Sequence, residues 1–191
     1  MAHDMTQPGA SLPDAEGKSY WSTADIFAGR ASAVTAFLHR DYAIGMHAHE
    51  FTEVNFVLQG RGQHYVHAQA FPTQQGDVFV IPPHEKHGYA QSEGLDVYHL
   101  LISDRFFAES GLAVRMLPGF LPLFTLEPYY RAETDFRYAM RLDNTQLAHV
   151  VALLQMMQQE LAEPFRGQEL AVSSLTTYLL TRLCHWYATQ H

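Results

Sequence analysis

Between residues 20 and 103 the apolar positions come in short runs rich in Val, Phe, Tyr and Ile, cut by Gly and Pro at short intervals. EVNFVLQG, GQHYVHAQ, DVFVIPP and LDVYHLLIS read as strands. The turn signals between them are Gly60-Arg61-Gly62, Gln75-Gly76-Asp77, Pro82-Pro83 and Ser92-Glu93-Gly94. Many short strands at this spacing predict a sandwich or barrel. The period then changes. Leu147, Val150, Val151, Leu154, Met157 and Leu161 share one face of a helix, with Asp143 or Asn144 to cap its start and Pro164 to stop it. A second helix follows Gly167, with Leu170, Leu175, Tyr178, Leu179 and Leu183 on its apolar face, so an antiparallel helix pair is expected. The predicted fold class is therefore mainly β with C-terminal α. Its expected parts are a disordered tail over 1–18, a barrel over 19–108, a connecting meander over 109–142 and a helical hairpin over 143–191.

Composition narrows the function. At 191 residues with 47% hydrophobic content, the chain can bury a real core as one ordinary domain with a helical appendage. Cys184 is the single cysteine, which rules out an internal disulfide framework and suits a reducing, cytoplasmic compartment. We read it as a buried structural thiol. The start of the chain does not look like a signal peptide, and no apolar run approaches the roughly 18 residues of a membrane helix. The net charge is -8, and only 12 Lys and Arg are scattered along the sequence. That argues against direct nucleic-acid binding and against an anionic membrane surface as partner.

The candidate chemistry lies in HAHEFTEVNFVLQG, residues 47 to 60. With twelve histidines in the chain, two of them two apart mean little. A glutamate four further on and a glycine seven after that make the combination specific. In a strand, alternate side chains share a face, so His47, His49 and Glu53 can point the same way. Two imidazoles and a carboxylate suit Zn, Ni, Fe, Mn or Cu rather than a thiolate-loving ion. GDVFVIPPHEKHGY, residues 76 to 89, offers His87 as a further ligand.

The pattern H-x-H-x3-E-x6-G followed by G-x5-P-x4-H resembles the two motifs of the cupin superfamily. The resemblance covers about residues 40 to 90 and implies a small double-sheet jelly-roll barrel, with metal ligands at His47, His49, Glu53 and His87. Three positions depart from that pattern. Asp41 stands where the first motif opens with glycine, Gln91 where the second ends with asparagine, and His84 where glycine follows the proline by two. The last bears on the turn that places His87. With the helix pair included, residues 40 to 185 look like the N-terminal effector-binding half of AraC-family transcription regulators, in particular the rhamnose-operon branch. That implies a small-molecule effector, such as a sugar or sugar acid, and a homodimer through the helices. It implies DNA binding only through a C-terminal helix-turn-helix part that does not lie within these residues.

Beside the metal quartet, Tyr89 and His99 are candidate ligand contacts, although aromatics in small barrels mostly pack and a lone buried histidine is more often a satisfied core group. His64, His67 and His84 are read as surface. Leu175, Leu179 and Leu183 are candidates for the dimer interface, because two helices are too few to cover each other and a barrel. The alternative to a sensor is a freestanding metal-dependent cupin enzyme of the isomerase or dioxygenase class. No extra acid or base is evident for it, and the expected chain is no enzyme.

Overall fold

A computed structural model describes residues 19–133 and 140–190. The expected tail, positions 134–139 of the expected meander and His191 lie outside the described residues. The barrel strands are β1 (Tyr20–Trp21), β2 (Val34–His39), β3 (Ile44–His49), β4 (Thr52–Val66), β5 (Gln69–Gln74), β6 (Asp77–Ile81), β7 (His87–Ile102) and β8 (Met140–Arg141). They pair in the order β1-β3-β7-β4-β6-β8, with β2 added to β7 and β5 to β4. All pairings are antiparallel except β1 with β3. The predicted class stands: a double-sheet barrel is followed by an antiparallel helix pair.

Two predicted turns are not turns. Gly60-Arg61-Gly62 and Ser92-Glu93-Gly94 lie inside β4 and β7, which pair from Thr52↔Ile102 to Val66↔His87. The register shifts three times between Val57 and Gln63, so the glycines mark bulges at which the two long strands bend together from one sheet into the next. Gly60 has φ +77°, and a Cβ there would meet the Gly94 carbonyl oxygen at 2.1 Å. Only glycine allows the strands to cross so closely.

Alternation divides the strand residues between two cores. Val57, Phe79, Ile81, Tyr89, Leu95 and Val97 line the barrel interior with Tyr42. Val54, Phe56, Val78, Val80, Tyr98, Leu100 and Ile102 point the other way, into a core shared with the helices. Those helices are α1 (Thr23–Phe27), α2 (Asp104–Glu109), α3 (Leu112–Arg115), α4 (Glu127–Glu133), α5 (Asn144–Ala162) and α6 (Gln168–Gln190), with a π-helical turn at Pro122–Leu126. Asp143 caps α5 reciprocally. Its carboxylate accepts from the Gln146 amide at 2.8 Å, and the Gln146 side chain accepts from the Asp143 amide at 3.0 Å. No helix among the described residues is long and apolar enough to cross a membrane.

The expected apolar face of α6 needs correction. Leu170 is 72% exposed and Tyr178 is 46% exposed. The packed face is instead Val172, Ser173, Thr176, Leu179, Leu180, Leu183 and Cys184. Small polar residues share this face by bonding within the helix: Ser173 turns its hydroxyl to the Leu170 carbonyl at 3.2 Å and Thr176 to the Val172 carbonyl at 2.8 Å. Leu179 and Leu183, expected at a dimer interface, are fully buried in the chain's own core, and Leu175 is half-buried against it. The helices cover the barrel more completely than their number suggested, because the segment from α2 to α4 contributes Phe106, Phe107, Val114, Leu123 and Phe124 to the same core. Cys184 is buried there, and burial pushes its thiol up to about 12.

Candidate metal centre

His47 and His49 end β3, Glu53 opens β4 and His87 opens β7. A break at Glu50–Phe51 separates β3 from β4, so the first motif is not one straight strand. Cross-strand pairing unites the two motifs. His47 lies opposite His87 in the β3–β7 ladder, with ring centroids 4.1 Å apart. Ligand atoms of His47, Glu53 and His87 all lie within 4.8 Å of one another. His49 joins through Glu53, its Nε2 being 2.9 Å from the nearer carboxylate oxygen. All four side chains are at most 2% exposed.

The hydrogen bonds decide which atoms remain available. A backbone carbonyl can only accept, so each imidazole nitrogen that meets one must donate to it. His47 Nδ1 donates to the Gly45 carbonyl at 2.9 Å, and His49 Nδ1 donates to that of Phe51 at 2.7 Å. His87 Nδ1 donates to the Glu85 carbonyl at 3.3 Å. The three Nε2 atoms are thereby left as lone-pair donors. These Nε2 atoms and Glu53 Oε2 are buried without a hydrogen-bond partner. Although His49 Nε2 lies close to Glu53 Oε2, the pair lacks hydrogen-bond alignment. Three buried, unsatisfied donor atoms converge on His47, Glu53 and His87, with that of His49 beside Glu53 but outside the trio; such a set is costly for an empty core and fits a bound cation. Backbone carbonyls that fix the tautomer are the usual outer partners of metal-bound histidine.

Electrostatics points the same way. Burial and the neighbouring His87 lower His47 to about 4. Burial also lowers His87. Both are neutral near pH 7, as ligation requires. Burial alone would raise Glu53, but the His99 ring nitrogen beside its carboxylate holds the carboxyl well below the usual range. His99 Nδ1 lies 2.7 Å from Glu53 Oε1, which leaves the other oxygen to face the cluster. The predicted contact His99 therefore sits inside the barrel as a support for Glu53. Tyr89 also faces inward and accepts from Asn55 Nδ2 at 3.1 Å.

His64 corrects the sequence reading. It is wholly buried, stacked on Tyr89 at 4.5 Å and set 5.9 Å from the His87 ring, with neither ring nitrogen partnered. The supposed turn before it is a bulged stretch of β4, which turns it inward. Burial holds it neutral, its pKa well below the ordinary value. His67 and His84 are exposed, as expected. Trp21 meets the His47 ring edge-on at 4.7 Å, and Phe51 stacks on His49 at 4.4 Å, so aromatic rings screen the cluster from water. A surface groove of about 810 Å³, lined by Gln59, Gln63, Thr73, Gln74 and Gln91 among others, includes none of these residues. The donor set, not the size of a hollow, locates the centre.

Comparison with known proteins adds the family. The activator RhaR of Salmonella typhimurium, an HTH-type transcriptional activator, is 26% identical over 166 residues, covering 86% of this chain and 55% of that protein. RhaR of Salmonella newport matches to the same extent. The chain thus spans about half the length of the curated relatives it matches. Among solved structures, KdgF from a Halomonas species is 25% identical, covering 38% of this chain and 71% of that one at a TM-score of 0.35. A cupin-2 domain protein from Shewanella frigidimarina is 22% identical, covering 38% and 72% at a TM-score of 0.34. The profile of the AraC-like ligand binding domain matches residues 33–180, which takes in both the barrel and most of the helix pair, and the chain belongs to that family.

Proposed function

We propose that this chain is the effector-sensing, dimerising domain of an AraC-type transcription regulator, and that its effector site is built around a divalent transition metal such as Zn, Ni, Mn or Fe. The observation that carries the reading is the set of four buried donor atoms without partners on His47, His49, Glu53 and His87. The ion would supply a positive charge on which hydroxyl or carboxylate oxygens of a small polar ligand, such as a sugar or sugar acid, can settle. The chain's own side chains select that ligand. His64 offers one donor and one acceptor, Asn55 keeps its Oδ1 unpartnered, and Tyr89 holds the His64 ring by stacking. Ligand binding acts on transcription only if the bound and free forms of the domain differ in affinity, so the response is a population shift. The DNA contact is assigned to a helix-turn-helix part outside these residues. For dimerisation we assign the exposed apolar side chains of the helix pair, Met156, Leu170 and Tyr178, in place of the buried Leu179 and Leu183. The compartment is the cytoplasm.

The test is elemental analysis of purified protein before and after loading with Zn, Ni or Mn, with His87→Ala alongside. Near-stoichiometric metal that is lost in the variant is expected. Thermal shift of the loaded protein with a panel of sugars and sugar acids then seeks the effector. Metal-dependent turnover of such a compound would overturn the binding-domain reading in favour of an enzyme.

A further inference from the structure

The turn that delivers His87 to the cluster departs from its expected chemistry. His84 occupies the position where the resembling motif has glycine, and it adopts φ +68°, a left-handed conformation that side chains other than glycine rarely take. Such a turn persists only if its surroundings hold it. On one side, the His84 amide donates to the His49 carbonyl at 2.7 Å, and Tyr20 Oη lies 3.0 Å from His84 Nδ1 with the two rings parallel.

The other side is held from the helical layer. Glu85 is buried, and its Oε1 lies 3.6 Å from Arg131 Nη2. Arg131 belongs to α4, far away in sequence, and is 1% exposed. The same guanidinium donates to the Val80 carbonyl of β6, lies 5.5 Å over the Phe79 ring and pairs with Glu127 Oε2 at 3.5 Å. It therefore bonds the strand that enters the turn and stands at ion-pair distance from the acidic residue within it. That residue is the one whose carbonyl accepts from His87 Nδ1 and so sets the ring's tautomer and direction. A planar guanidinium suits this task because Nη2 faces Val80 and Glu85 while Nη1 faces Glu127, whereas a lysine gathers its three donors at one point.

We propose that Arg131 is a positioning residue of the metal centre: acting through Glu85 it places His87, so that occupation of the centre and docking of α4 reinforce each other. The proposal rests on the reading that His47, His49, Glu53 and His87 hold an ion. Because coupling between sites is reciprocal, an ion that needs His87 in place must also tighten the contact that places it. The α4 helix follows the π-helical turn that packs against α6, so the centre is joined to the helical layer as well as to the barrel.

The experiment compares zinc affinity, by competition with a chelating dye, in wild type, Glu85→Gln, Arg131→Lys and Glu127→Gln, with amide hydrogen exchange over 127–133 with and without zinc. Glu127→Gln disturbs the same buried charges but does not touch the turn. Zinc binding is expected to weaken at least tenfold in Glu85→Gln and Arg131→Lys and to stay within twofold in Glu127→Gln, even where thermal stability falls equally. Zinc is expected to slow exchange over 127–133 in wild type and not in Glu85→Gln. Equal zinc affinity in all three variants, or exchange indifferent to zinc, overturns the proposal and leaves the metal reading intact. A wild type that takes up no zinc, nickel or manganese overturns both. If Arg131→Lys fails to fold, Glu85→Gln decides alone.

Discussion

At the scale of single residues, the centre is governed by which atom of each side chain is already engaged. Three backbone carbonyls take the Nδ1 protons of His47, His49 and His87, and His99 takes one oxygen of Glu53. His99→Ala should therefore leave the four ligands present but Glu53 unoriented, lowering zinc affinity by ~10–100-fold. Dye competition measures this, and unchanged affinity would remove His99 from the site. Acid should destabilise the metal-free protein. Burial lowers His39 and His47 to about 4 in the fold from the ordinary 6.5. Between those values the unfolded chain binds more protons, so their contribution is full above about pH 6.5 and is lost as the pH falls through about 4. Glu85 opposes this. Burial raises it to about 7, and its effect makes stability fall as the pH rises toward that value. Melting temperatures in chelator should drop from pH 6.5 to pH 4.5, more steeply in Glu85→Gln than in wild type.

The same scale shows what could be read in advance. His47 and His49 share a face because alternation within one short strand is a local property, and the spacing to Glu53 and His87 carried the pairing of motifs. His64 reads as surface because it lies next to Gly60-Arg61-Gly62, which is no turn; three register shifts along β4, imposed by neighbouring strands, decide its direction.

At the scale of elements, α5 is the best-specified piece. Its apolar spacing, its Asp143 cap and the stop before Pro164 are all local signals, and the helix runs over Asn144–Ala162 as expected. Asp143→Ala should cost about 1 kcal/mol in denaturant unfolding, the usual worth of an N-cap. The β4–β7 crossing is the opposite case. Gly60→Ala would force a side chain into a left-handed residue and against the Gly94 carbonyl. The left-handed conformation alone costs roughly 1–2 kcal/mol, so a loss above about 2 kcal/mol is expected in the same unfolding measurement. In the sequence these glycines looked like ordinary turns, because a bulge and a turn ask the same freedom of the backbone. Helix α6 was placed correctly along the chain but rotated about its axis in the reading. Ser173 and Thr176 face the core and Leu170 faces out. Polarity alone cannot say that Ser173 and Thr176 face inward, because each satisfies its hydroxyl on its own helix.

At the scale of the whole molecule, the buried positions of Leu179 and Leu183 move any dimer contact to other residues. Leu170→Lys with Tyr178→Lys should leave the fold and the zinc content unchanged and convert a dimer to monomer in sedimentation. A dimer that survives both changes would place the interface elsewhere. The fold class, the helix pair, the four metal-ligand candidates and the family resemblance were determined by the sequence itself, since each depends on spacing within short segments or on motifs carried by them. The inward turn of His64, the support of Glu53 by His99, the grip of Arg131 on the turn before His87 and the burial of the supposed interface were decided only in the tertiary structure. Each of these depends on residues far apart in the chain meeting in space, and on bulges and helix rotations set by what packs against them.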